Sequence, residues 1–113
     1  MNEFGLRPEI WQQIQEVLSC DSEVERAVLY GSRARGDYRE NSDIDIAIWS
    51  PRDIIAKLQV QFDTVPTILK IDLADFNTLA NPELKAHIEK DGRAIDLGFT
   101  NIDQSLPVSM LAL

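Results

Sequence analysis

The sequence predicts an α+β domain, a mixed α/β sandwich in which a small mixed sheet carries helices mainly on one face. Three observations predict it. Helix-like and strand-like segments alternate in the order αβ(turn)βαβαβ. A short polar link joins the first two strands, which lets them pair antiparallel and rules out a purely parallel sheet. Two later segments open on a polar residue followed by proline, the signal of a helix start.

At 113 residues with 44% hydrophobic content, the chain can bury an ordinary core without metal or disulfide staples. It reads as one domain over 1–113. The balance of 11 Lys and Arg against 19 Asp and Glu gives a net charge of −8. Such a surface repels phosphate backbones, so direct nucleic-acid binding is not expected. A nucleotide is still admissible, because a bound metal can neutralise it locally. The single cysteine, Cys20, excludes an intramolecular disulfide and a cysteine-based zinc site. No apolar run reaches membrane-spanning length and no signal-peptide core is present, so a soluble, cytoplasmic protein with no membrane association is expected.

In chain order, Pro8 suits a first helical turn, and Ile10, Ile14, Val17 and Leu18 recur at helical spacing beside Trp11. A helix over about 7–20 follows, ended by Asp21 and Ser22. Arg26 to Tyr30 reads as a strand running into Gly31. Residues 36–42 are polar and read as a loop. From Ser42 to Trp49 the alternation is clean: Ile44, Ile46 and Ile48 share one face, while Asp43, Asp45 and Ala47 share the other. Ser50-Pro51-Arg52-Asp53 predicts a helix start, with Ile54, Leu58 and Phe62 on its inner side. Residues 68–76 read as a third strand, with Ile71 and Leu73 facing one way and Lys70, Asp72 and Ala74 the other. Asn81-Pro82-Glu83 opens another helix, which Gly92 stops. Residues 93–97 predict a short edge strand. The apolar tail, about 99–113, has no period or cap that assigns it.

The chemistry concentrates in two neighbouring stretches, Gly31-Ser32 and Asp43-Ile44-Asp45, which form a G-S-x10-D-x-D pattern. Carboxylates at i and i+2 of a strand share a face, roughly 7 Å apart between Cα atoms. Held near 4 Å at an effective dielectric of 20, they repel by about 4 kcal/mol, so the pair is costly unless a cation sits between them. Oxygen ligands select a hard cation, Mg²⁺ or Mn²⁺. Gly31 allows a tight turn and close backbone approach, Ser32 adds a hydroxyl, and a helical turn over 32–35 would aim N–H groups at a phosphate. Arg33 and Arg35 add positive charge, and a structural salt bridge is the alternative role for each. The G-x-x-x-x-G-K-[ST] loop is absent. His87, Tyr30 and Tyr38 read as packing or surface residues, Cys20 as a helix-end residue and Asp96 as a cap of the final strand, although either tyrosine could stack on a base.

Gly31-Ser32, Ala34-Arg35-Gly36 and Ser42-Asp43-Ile44-Asp45 together resemble the signature of the minimal nucleotidyltransferase (MNT) family, within the DNA polymerase β-like nucleotidyltransferase superfamily. The resemblance covers most of the chain and implies that superfamily's fold. It implies a third metal-binding carboxylate on the third strand, and Asp72 matches that position. Asp75, the nearby competitor, faces the other way by strand alternation. The implied catalytic and metal-binding set is Asp43, Asp45 and Asp72, holding two Mg²⁺ ions (or Mn²⁺). Gly31 and Ser32 would hold the β- and γ-phosphates of ATP, with Arg33 and Arg35 as further nucleotide-binding candidates. The resemblance also implies an antitoxin of a toxin–antitoxin pair that transfers AMP from ATP to a tyrosine of a helical HEPN-domain RNase toxin, forming a hetero-oligomer with it. Neutralisation by occlusion without catalysis is the alternative. Nucleotidylation of a small molecule such as an aminoglycoside is a weaker one, since little chain is left for an acceptor-binding domain.

Overall fold

The computed structural model describes residues 2–97, and the apolar tail lies outside the described residues. The elements are α1 (Pro8–Ser19), β1 (Arg26–Tyr30), the one-turn helix α2 (Ser32–Arg35), β2 (Ile44–Trp49), α3 (Ile55–Phe62), β3 (Ile71–Asp75), a 3₁₀ turn (Phe76–Thr78), α4 (Pro82–Asp91) and β4 (Arg93–Ala94). The sheet order is β3-β2-β1-β4. β1 is antiparallel to both β2 and β4, while β2 and β3 run parallel through the α3 crossover. The expected mixed sheet is therefore present, and so is the antiparallel pairing of its first two strands. No helix among the described residues is long and apolar enough to cross a membrane.

The main core lies on the face that β2 builds from Ile44, Ile46 and Ile48, each with no solvent exposure. Ile10, Ile14 and Leu18 of α1 pack there, together with Ile54, Leu58 and Phe62 at the start and along the length of α3. Their i, i+4, i+8 spacing places each set on a single helical stripe. Pro8 occupies the first turn of α1, where its missing N–H is not needed.

α4 departs from the expectation that the later helices share one face. Its Ile88 packs with Val28 and Ala47 on the opposite face, where Tyr30, Trp49, Phe76 and Leu84 extend the cluster. The physical reason is space. α1 and α3 already fill the first face, while the chain must still cross from β3 at one edge to β4 at the other. Trp49 stacks on Phe76 with ring centroids 4.3 Å apart, which closes the sheet end of this second core. Asn81 caps α4 as expected, its side chain accepting from the N–H groups of Glu83 and Leu84 at 2.9 and 3.2 Å. Gly92 ends α4 in ordinary extended backbone, so its role is clearance: a Cβ there would lie 2.3 Å from both Ile88 O and Val28 Cγ1.

α3 starts later than predicted. Ser50 is buried and its hydroxyl donates to Arg52 O, which makes a turn out of residues 50–53. Asp53 instead accepts from the Ile55 N–H and sets the start of the helix. The third strand and the last strand are likewise shorter than their predicted ranges.

Candidate active site

The strand registers assemble the site. Tyr30 of β1 lies opposite Asp45 of β2, and Asp45 lies beside Asp72 of β3. Paired residues on neighbouring strands point to the same face, so these three form one row across the sheet. Asp43, two residues before Asp45, joins them on that face. Asp43, Asp45 and Asp72 each place a carboxylate oxygen within 4.8 Å of the others. Asp75 takes no part, because it faces the other way and accepts from the Asn77 N–H at the 3₁₀ turn.

The electrostatics follow from this crowding. Asp45 is half-buried, whereas Asp43 and Asp72 are exposed. Burial, and then the charges of Asp72 and Asp43, push the Asp45 carboxyl above its ordinary value, while Lys70 and Arg35 partly offset them. Burial and the same acidic row push the Tyr30 phenol up to about 12. The donor set is made of oxygens, carries up to three negative charges, and opens to solvent at Asp43 and Asp72. That chemistry fits a hard divalent cation which keeps open positions for phosphate and water.

Gly31 joins the phosphate turn to the acids. Its backbone has φ 76° and ψ −157°, a region essentially reserved for glycine. A Cβ there would also stand 2.5 Å from Asp45 Oδ2. Immediately after it, α2 forms the helical turn that the Gly-Ser pair suggested. The N–H groups of Ala34, Arg35 and Gly36 are spent inside that turn, on Gly31 O and Ser32 O at 2.9–3.1 Å. The donors that remain for an anion are therefore the Ser32 hydroxyl and the first N–H groups of the turn, fewer than the 32–35 reading implied.

The two arginines separate. Arg33 is 1% exposed, and this corrects the expectation that it binds nucleotide. Its guanidinium donates to the carbonyls of Phe4 (3.0 Å), Gly5 (3.3 Å), Glu40 (3.2 Å) and Ser42 (3.1 and 3.0 Å). It also lies over the Tyr38 ring at 5.1 Å. Arg33 thus staples the N-terminal segment to the loop that delivers Asp43, and its charge is consumed by backbone. Arg35 is exposed, pairs with Asp37 at 3.3 Å, and sends its field to Asp45. It stays at the site. Of the remaining residues singled out, His87 is exposed on α4, 4.0 Å from Asp91. Cys20 is exposed at the end of α1. Lys70 is the residue that sequence reading passed over as a site candidate. Its signal was present, since it shares strand parity with Asp72.

The family described as "Polymerase beta, Nucleotidyltransferase" matches residues 12–96, a span that includes the Gly-Ser turn and all three acids. The chain is 30% identical over 86 residues to "Putative protein adenylyltransferase MJ1217" of Methanocaldococcus jannaschii, covering 74% of this chain and 88% of the relative. It is similarly 30% identical over 88 residues to "Putative protein adenylyltransferase MJ1379" of the same organism, with the same coverage. Among solved structures, a toxin–antitoxin with AMP-PNP superposes with a TM-score of 0.63 at 24% identity, over 90% of this chain and 84% of that one. The complex of a tri-AMPylated Shewanella oneidensis HEPN toxin with its MNT antitoxin gives a TM-score of 0.60 at 19% identity, over 95% and 91%. At these identities the two structures establish the shared fold. The row of acids and the glycine-serine turn beside it are thus carried by a chain that belongs to the Polymerase beta nucleotidyltransferase family.

Proposed function

We propose that this chain is a Mg²⁺- or Mn²⁺-dependent adenylyltransferase that moves AMP from ATP to a tyrosine of a helical HEPN-domain RNase, and so acts as its antitoxin in the cytoplasm. The observation that carries the proposal is the convergence of Asp43, Asp45 and Asp72 within 4.8 Å, beside the Gly31-Ser32 turn. The relatives named as protein adenylyltransferases support the reaction type. The AMP-PNP-bound and tri-AMPylated toxin–antitoxin complexes support the nucleotide and the partner.

Asp43 and Asp45 would hold metal on the nucleotide side, and Asp72 would complete the set on the acceptor side. Bound there, the cation supplies charge neutralisation for the triphosphate and polarises the reacting phosphate. The chain's own residues do the rest. Ser32 and the first N–H groups of α2 hold the phosphate tail at the β1 side of the site, and exposed Arg35 adds positive charge. Asp72 accepts the proton of the acceptor hydroxyl. The acceptor oxygen bonds to the α-phosphorus, the bond from that phosphorus to the bridging oxygen of the β-phosphate breaks, and pyrophosphate leaves. Asp45, the most enclosed of the three acids, fixes the row through its registers to Tyr30 and Asp72.

The net charge of −8 favours a second reading, in which the acidic surface occludes a basic RNase without catalysis. Co-expression separates the two. The Asp43→Ala/Asp45→Ala double variant is expected to be soluble and folded but unable to rescue cells from the RNase. Full rescue by that variant establishes occlusion instead.

A further inference from the structure

Tyr30 belongs to the acid row. It stands beside Asp45, and Asp45 beside Asp72, on the face of the sheet away from the main core. Tyr30 is the end of the row that runs into Gly31-Ser32, whereas Asp72, on the outer strand β3, is the other end. The Tyr30 ring packs against the cluster of Val28, Ala47 and Ile88, which holds it from the α4 side. It is only half-buried, and the charges of both Asp45 and Asp72 act on its phenol, so the hydroxyl lies at the row. Among the described residues none hydrogen-bonds to that hydroxyl. A tyrosine anchored by packing ordinarily finds a partner for its O–H.

We propose that Tyr30 is a nucleotide-binding residue, whose phenol O–H donates to a phosphate oxygen of the triphosphate lying over the acid row. The inference rests on the nucleotide part of the adenylyltransferase reading above and adds a residue to it. The count of donors carries it. Ionised carboxylates only accept hydrogen bonds, and so do the oxygens of a triphosphate, so the three acids offer the phosphates nothing without a cation. The N–H groups of Ala34, Arg35 and Gly36 are spent inside α2, and the Arg33 guanidinium is spent on the carbonyls of Phe4 and Ser42. The Tyr30 O–H is a donor at the phosphate end of the row that the protein itself does not use. Its side chain is longer than that of aspartate, so from the same row it reaches a ligand bound over the carboxylates. A hydrogen bond to a charged oxygen is also stronger than one between neutral groups. The ring and the hydroxyl have separate tasks: the ring packs, and the hydroxyl binds.

Tyr30→Phe tests this, because it removes one oxygen and keeps the packed ring. Calorimetry on the full chain reads the binding of Mn²⁺ alone, of the non-transferable analogue AMPCPP with saturating Mn²⁺, and of inorganic tripolyphosphate with saturating Mn²⁺. The expected result is an Mn²⁺ affinity unchanged within about twofold, and a loss of about tenfold in affinity for both AMPCPP and tripolyphosphate. An AMPCPP affinity equal to that of wild type overturns the proposal. So does a loss confined to AMPCPP, which places Tyr30 on the nucleoside. A matching loss of Mn²⁺ affinity also overturns it, because it makes Asp45 the partner of the hydroxyl. Failure of the wild-type chain to bind AMPCPP removes the adenylyltransferase reading and this inference together. AMPCPP binding without transfer to the HEPN-domain partner removes the adenylyltransferase reading alone, and the Tyr30→Phe comparison still decides this inference.

Discussion

Replacing Asp45 with asparagine is expected to stabilise the metal-free protein while abolishing its response to metal. Three carboxylates lie within 4.8 Å of one another. At that separation a pair of unit charges repels by about 1 kcal/mol in water and about 3.5 kcal/mol at an effective dielectric of 20. Asp43 and Asp72 are exposed, so the lower figure governs each pair, and Asp45 takes part in two of them. Neutralising it should stabilise the protein by about 1–2 kcal/mol, a rise in Tm of roughly 5–10 °C for a domain of this size. Asparagine keeps the shape beside Gly31. Wild type should gain about 2.7 kcal/mol when Mn²⁺ is raised to 100 times its Kd, and the variant should gain almost nothing. The pH dependence has a defined sign. The Asp45 carboxyl is raised in the folded state, chiefly by burial and then by Asp72, so protonation favours folding. That contribution is complete below the unfolded value of 3.8 and is lost as pH rises through the folded value, so the variant's advantage should be small in acid and full at neutrality. Thermal unfolding in chelator and in Mn²⁺, from pH 4 to 8, reads all of this. A variant no more stable than wild type in chelator at neutral pH, or one that keeps the wild-type metal shift, refutes the reasoning.

Other expectations follow from the same geometry. Gly31→Ala should lose at least 100-fold in transfer and about 1–3 kcal/mol in stability, because its φ is +76° and the new Cβ meets Asp45 Oδ2; activity assays and denaturant unfolding check both. Arg33→Met should lower stability by about 3–5 kcal/mol, since it leaves the buried Phe4 carbonyl and the partly buried Ser42 carbonyl without their donor, yet the fraction still folded should bind AMPCPP normally; a selective loss of nucleotide affinity would return Arg33 to the site. Tyr30 should stay protonated past its ordinary value of 10, with phenolate absorbance appearing only toward about 12. Its proton favours the folded state, so this contribution disappears as pH climbs from 10 to about 12, and Asp45→Asn should bring the transition down.

Asp43 and Asp45 were legible in the sequence because strand alternation is a strict rule and had to put them on one face, whereas Asp72 was singled out by the family resemblance and alternation only set it apart from Asp75. The helix starts at Pro8 and at the Asn81 cap were legible because their chemistry is local. What sequence did not reveal depends on contacts far apart in the chain. Arg33 looks like a free cation beside a phosphate turn, but Phe4 and Ser42 supply carbonyls that only the folded chain brings to it. Ser50-Pro51 carries a valid helix-start signal, yet the buried Ser50 hydroxyl bonds Arg52 O and the helix waits for Asp53. The face chosen by α4 was set by occupancy, because α1 and α3 had already covered the other side. Gly92 signalled a stop, and the close approach of Val28 that requires it lies in β1.

In the proposed function the acid row and the Gly31-Ser32 turn form one nucleotidyl-transfer site acting on a partner's tyrosine. The most direct test incubates the purified chain with the HEPN-domain protein, α-labelled ATP and Mg²⁺, and locates the modification by mass spectrometry. The expected result is AMP on a partner tyrosine, dependent on metal and absent with Asp43→Ala/Asp45→Ala. An unmodified partner that the wild-type chain nevertheless inhibits, or transfer undiminished in the double variant, would contradict it.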